Sequence, residues 1–123
     1  MKVNYGQNVY DQKEINAVVK TLKKGTQMGS AVREFEKKLS KIFQKKNTLL
    51  VNSGSSALLL AFQCLSFKKN SNFITPVLTF GTTVASMIQA NFIPNFIDVD
   101  KRTLCIDEKQ IEKQINKNTV GFC

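Results

Sequence analysis

Short apolar runs alternate with helix-length stretches through the second half of this chain, and that order leaves few folds open. Thr48–Val51, Phe73–Thr75, Phe92–Val99 and Thr119–Phe122 are rich in β-branched and aromatic residues and read as strands. Pro76 stops the second run, and Pro94 sits near the start of the third. Between them lie helical stretches over Ser55–Ser66 and Thr79–Ala90, the latter with Val84, Met87 and Ile88 inward. A further helix is capped by Asp107, with Gln110 at the matching capping position. Strands that alternate with helices require crossover connections, which are right-handed and make a parallel sheet. Such sheets are covered on both faces. The predicted class is therefore α/β, a mostly parallel sheet with helices on both faces.

The first part of the chain lacks strand signals. Asp11 followed by Glu14 forms a capping-box pattern; Ile15, Val18, Val19 and Leu22 then make one apolar stripe, ended by Gly25. Thr26–Gly29 reads as a loop. A second helix starts at Ser30, with Val32, Phe35, Leu39, Ile42 and Phe43 inward. Residues 1–47 are read as a helical segment and 48–123 as the sheet-bearing part.

Composition excludes several classes of chemistry. The 123 residues contain no histidine, so an imidazole base, a histidine-dependent triad and a histidine-ligated metal are all ruled out. Cys64, Cys105 and Cys123 match no zinc spacing, and Cys64, inside an apolar helix, reads as a small core hydrophobe. Net charge is +9, which raises the question of nucleic acid. The lysines argue against it. Lys37, Lys41 and Lys45 recur at helical spacing opposite an apolar face, and only Arg33 and Arg102 are of the type favoured for bidentate phosphate and base contacts. No apolar run approaches the roughly 20 residues that cross a bilayer, and the N-terminus has no signal-peptide core. A cytoplasmic protein without membrane or nucleic-acid partners is expected.

The sharpest local feature is Leu49-Leu50-Val51-Asn52-Ser53-Gly54-Ser55-Ser56-Ala57-Leu58: an apolar run, a small polar turn, then an apolar helix. The first amides of a helix have no internal partner and carry partial positive charge, which suits an anion. Gly54 permits close approach, and the Ser55 and Ser56 hydroxyls add donors. The plainer alternative is that Ser53 or Ser55 caps the helix. In open parallel sheets, ligands sit beyond the carboxyl ends of the strands. Both this turn and the one leading to Thr79-Phe80 lie at such ends.

Taken in order, the motifs resemble a family. Gly29 with Val32-Arg33-Glu34-Phe35-Glu36, Val51-Asn52-Ser53-Gly54-Ser55-Ser56-Ala57-Leu58, Thr75-Pro76-Val77-Leu78-Thr79-Phe80 and Pro94-Asn95-Phe96-Ile97-Asp98-Val99-Asp100 are similar to the motifs of the DegT/DnrJ/EryC1/StrS family of pyridoxal-phosphate-dependent sugar aminotransferases. The likeness runs from about Tyr5 to Cys123. It implies the N-terminal part of a fold-type-I large domain, beginning near residue 48. It also implies that Gly54, Ser55 and Ser56 hold the phosphate of pyridoxal 5'-phosphate (PLP), that Phe80 lies against the pyridine ring, and that Thr26, Gln27 and Met28 face the substrate. For Phe80 taken alone, an ordinary core aromatic is the alternative.

The partners implied are a nucleotide-linked keto sugar, an amino donor such as glutamate, and a second copy of the chain in a homodimer. The role implied is polysaccharide biosynthesis. Two segments depart from the pattern: Asn70-Ser71-Asn72 replaces a Gly-Asp-Glu turn, and Asn91-Phe92 replaces a small or glycine residue. In the family the Schiff-base lysine and the aspartate facing the pyridine nitrogen lie beyond position 123, so an inactive fragment that binds cofactor weakly is expected. Rival readings are a sugar 3-dehydrase of the same family, towards which Phe80-Gly81-Thr82-Thr83-Val84 and Gln89 lean, and a non-catalytic phosphate-binding module.

Overall fold

The computed structural model describes residues 6–27 and 29–123. The chain divides into two compact units, Met1–Leu50 and Val51–Cys123.

The first unit carries helix α1 (Gln12–Lys24) and helix α2 (Ser30–Ile42). The capping box forms as expected. The Asp11 carboxylate accepts from the Lys13 amide at 2.6 Å, and the Glu14 carboxylate accepts from the Asp11 amide at 2.7 Å. Neither helix contains a buried residue. The stripes read as inward-facing are therefore largely exposed, up to 71% for Ile42. Amphipathic spacing shows which face favours burial; it does not supply a covering surface.

The strand predicted over Thr48–Val51 does not form. The Leu50 amide donates to Glu36 Oε1 at 2.8 Å, and Ser40 Oγ donates to Thr48 Oγ1 at 2.8 Å. The segment spends hydrogen-bonding groups on α2, so an apolar run of strand-like composition stays outside the sheet.

The second unit runs α3 (Gly54–Gln63), β1 (Asn72–Pro76), α4 (Gly81–Gln89), β2 (Ile93–Ile97), α5 (Glu108–Gln114) and β3 (Thr119–Phe122). The sheet order is β2-β1-β3, with both neighbours parallel to β1. Side chains alternate across a strand, so Phe73 and its partner Pro94 share one face while Ile74 and Asn95 share the other. The Phe73 face holds the core, where Phe62 of α3, Met87 of α4 and Phe92 pack on Phe73. On the opposite face Asn95 Nδ2 donates to the Gln114 carbonyl at 3.4 Å, which brings α5 there. The fold is the expected α/β layering, with helices on both faces of a parallel sheet.

An irregularity between β1 and β3 pairs Asn72 with Thr119 but Phe73 with Gly121. The skipped residue, Val120, packs on the core cluster. Gly121 then lies under the Phe73 ring. A Cβ at this position would sit 2.7 Å from Phe73 Cε1, and that ring is fixed between Phe62 and Phe92.

Several boundaries differ from the sequence reading. Helix α3 ends at Gln63 rather than Ser66, and Phe62 is its buried residue. Cys64 is the exposed C-cap of that helix and not a core hydrophobe. In α4 the buried residues are Thr83, Ser86 and Met87, whereas Ile88 is 58% exposed. Thr83 and Ser86 are small enough to occupy covered positions on this helix. A hydrophobicity pattern passes over them. The departure at Asn91 also has a physical account. Asn91 has φ +63°, the left-handed region that glycine prefers and asparagine tolerates. Between β2 and α5, Asp100 accepts from the Thr103 and Arg102 amides at 3.0 and 2.9 Å, and these bonds, that from Thr103 foremost, hold its carboxyl below the ordinary value. Among the described residues, no helix is long and apolar enough to cross a membrane.

Thr75 in β1 is fully buried, and its hydroxyl has no hydrogen-bond partner among the described residues. A buried unsatisfied hydroxyl costs about 1–3 kcal/mol. Thr75→Val keeps the shape and removes the polar atom. It is expected to raise stability by about 1 kcal/mol, read as a higher midpoint in urea unfolding. A lower midpoint would show that the hydroxyl is bonded in solution.

Candidate functional site

The N-terminus of α3 is built by Ser53. This residue is extended, at φ −161° and ψ 160°, and its hydroxyl accepts from the Ser56 amide at 3.1 Å. It also donates to the Ser56 hydroxyl at 3.1 Å, and the Ser53 carbonyl takes the Ala57 amide. The capping reading of this turn is thus correct for Ser53. Capping consumes the Ser56 amide and leaves the Gly54 and Ser55 amides without partners among the described residues.

A Cβ at Gly54 would meet nothing within 4 Å. Among the described residues, then, nothing requires glycine at this position; the space beside the helix start is open. The Ser55 hydroxyl donates to Thr82 Oγ1 at 3.2 Å. Thr82 lies in the first turn of α4, which follows the carboxyl end of β1. This bond therefore brings the start of α3 to the ligand-binding end of the sheet.

Between the two helices lies a cleft of about 190 Å³, lined by Ser55, Ser56 and Leu59 of α3 and by Thr82, Ser86 and Gln89 of α4. Among the described residues, no acidic side chain lines it. Its polar groups are neutral hydroxyls and an amide side chain; of the two residues with unpartnered amides Ser55 lines it, and Gly54 precedes Ser55 in the chain. That donor set, with the open space over Gly54, fits a phosphate group.

Phe80 is the N-cap of α4 and is 75% exposed in this chain. It does not line the cleft. Thr26 and Gln27 are exposed in the loop between α1 and α2, within the first unit; Met28 lies outside the described residues. The structure thus brings Ser55 and Ser56 together with Thr82 and Ser86, neither of which the sequence reading named as a cofactor or substrate contact. Thr82 lies next to a motif, but a threonine in the first turn of a helix carries no signal of its own for a contact 27 residues away in sequence.

Comparison with known proteins gives this geometry a context. The profile of the DegT/DnrJ/EryC1/StrS aminotransferase family matches residues 8–122. A UDP-4-amino-4,6-dideoxy-N-acetyl-beta-L-altrosamine transaminase of Campylobacter jejuni is 36% identical over 121 residues, which are 98% of this chain and 32% of that protein. A GDP-4-keto-6-deoxy-D-mannose 3-dehydratase of Yersinia pseudotuberculosis is 32% identical over 119 residues, 91% of this chain and 30% of that protein.

Among solved structures, the Escherichia coli GDP-4-keto-6-deoxy-D-mannose-3-dehydratase with bound hydrated PLP superposes with a TM-score of 0.86 at 27% identity, covering 99% of this chain and 34% of that one. A Helicobacter pylori aminotransferase involved in the biosynthesis of pseudoaminic acid gives a TM-score of 0.83 at 27% identity, over 97% of this chain and 33% of that one. The chain spans about a third of the length of these relatives. With a family match over nearly its whole length, the chain belongs to the DegT/DnrJ/EryC1/StrS aminotransferase family.

Proposed function

We propose that this chain forms the phosphate-holding side of a PLP site. The Gly54 and Ser55 amides and the Ser55 and Ser56 hydroxyls hold the phosphate, and Phe80 lies against the pyridine ring. The observation that carries this reading is the pair of unpartnered amides at the start of α3, whose first turn lines an acid-free cleft, in a family with PLP-bound neighbours. The open space over Gly54 and the exposure of Phe80 support it. When bound, PLP supplies an electron sink for amino-group chemistry; the residues named here bind and orient it. We assign this role to the sheet-bearing part, residues 48–123. Thr26, Gln27 and Met28 are assigned to the sugar substrate on the strength of their place before the Gly29–Glu36 motif.

For the whole protein the proposed activity is transfer of an amino group from an amino-acid donor, glutamate for preference, to a keto sugar linked to a nucleotide. We place it in the cytoplasm, as a homodimer serving polysaccharide synthesis. The names of its relatives support amino-group transfer to a nucleotide-linked sugar. The presence of 3-dehydratases among them, together with Phe80–Val84 and Gln89, favours a second reading, removal of a sugar hydroxyl.

The binding step is tested on this chain by amide NMR. Added PLP is expected to give saturable shifts at Gly54, Ser55 and Phe80, and inorganic phosphate to reproduce the first two and not the third. Absence of saturable shifts at Gly54 and Ser55 up to millimolar ligand would overturn the assignment. For the whole protein, incubation with a nucleotide-linked keto sugar and glutamate separates the two activities by product mass, gain of an amine against loss of a hydroxyl.

A further inference from the structure

We infer that Thr82 is a positioning residue of the phosphate site, holding the Ser55 hydroxyl and donating to it when an anion is bound. The inference rests on the phosphate reading given above. In the structure Ser55 Oγ donates to Thr82 Oγ1 at 3.2 Å. The pair joins the first turn of α3 to the first turn of α4, and both residues line the cleft. A phosphate dianion has only acceptors to offer, so Ser55 can serve it only as a donor. Once Ser55 turns its hydrogen to the ligand, its lone pairs face Thr82. A hydroxyl at position 82 can then donate in its turn.

Serine and threonine make this exchange by rotating a hydrogen, with no movement of heavy atoms. The resulting chain runs from Thr82 to Ser55 to the phosphate oxygen, and each bond polarises the next. Branching at the threonine Cβ restricts χ1, so Thr82 presents its oxygen with less conformational freedom than serine would. Thr82 does not touch the ligand; it acts through Ser55.

The test is a titration of this chain with inorganic phosphate, followed at the Gly54 amide. Thr82→Val is expected to weaken binding by about 3- to 10-fold, and Thr82→Ser to remain within about twofold of the unsubstituted chain. In a Ser55→Ala background, Thr82→Val is expected to have no further effect. A loss of the same size in both backgrounds, or Thr82→Val titrating like the unsubstituted chain, overturns the role of Thr82 and leaves the phosphate site standing. If Thr82→Val does not fold, the Thr82→Ser and Thr82→Ala titrations decide: serine must retain binding and alanine must lose it. Absence of saturable shifts in the unsubstituted chain overturns the phosphate site itself.

Discussion

Ser55→Asp is expected to abolish phosphate binding while leaving the fold as stable as before or slightly more so. The opposite signs come from one carboxylate. At the second residue of α3 a negative charge meets the positive end of the helix dipole, worth about 0.3–1 kcal/mol at an exposed site. An aspartate can still accept from Thr82. The same charge repels a phosphate held by the Gly54 and Ser55 amides. Two unit charges about 4 Å apart interact by about 4 kcal/mol at an effective dielectric of about 20. Screening at the open mouth reduces this, so a loss of roughly 100-fold is expected. Phosphate titration and thermal unfolding of one preparation read both effects. Undiminished binding by Ser55→Asp would place the anion elsewhere.

The largest effect on stability is expected at Phe73. Its ring meets Phe62 edge-on at 5.1 Å and Phe92 at 5.0 Å, and it covers Gly121 of β3. Phe73→Ala removes the contact that joins α3, Phe92 and β3, and leaves a cavity that a sheet strand cannot collapse into. The cost is about 3–5 kcal/mol, against a total of about 5–15 kcal/mol for an ordinary domain. Loss of a cooperative unfolding transition, or a midpoint lowered by that energy, is the expected result in urea. Phe80→Ala, at an exposed ring, is the matched control and should stay within about 0.5 kcal/mol. A Phe73→Ala variant as stable as that control would mean that Phe62 and Phe92 close the gap.

These two phenylalanines show where a sequence reading holds and where it stops. Both are aromatic residues in apolar surroundings, and composition gives them the same expectation of burial. Phe73 lies in the middle strand, with β2 and β3 on its two sides, whereas Phe80 stands at the first exposed turn after that strand. Motif order gave Phe80 a role at the pyridine ring, and the structure leaves its ring exposed. The sequence placed Thr82 only within the Phe80–Val84 segment and gave no sign of its contact with Ser55 on another helix. Thr48–Val51 and Cys64 went the other way: both have the composition of buried elements and neither is buried as such. A strand exists only where an edge receives it, and a helix residue is core only where another surface covers it.

By itself, the sequence determined whatever depends on neighbours along the chain. The Asp11–Glu14 capping box, the Ser53 cap, the Asp107 cap, the strands at Phe73, Ile93 and Thr119 and the parallel order all follow from local chemistry and connection length. Only the tertiary structure decided which amides remain free after Ser53 caps α3, which helix faces are covered, and that Thr82 holds Ser55. The reason is physical. Caps and crossovers are set by backbone groups a few residues apart, whereas a binding site is set by what distant segments leave unpaired once they pack.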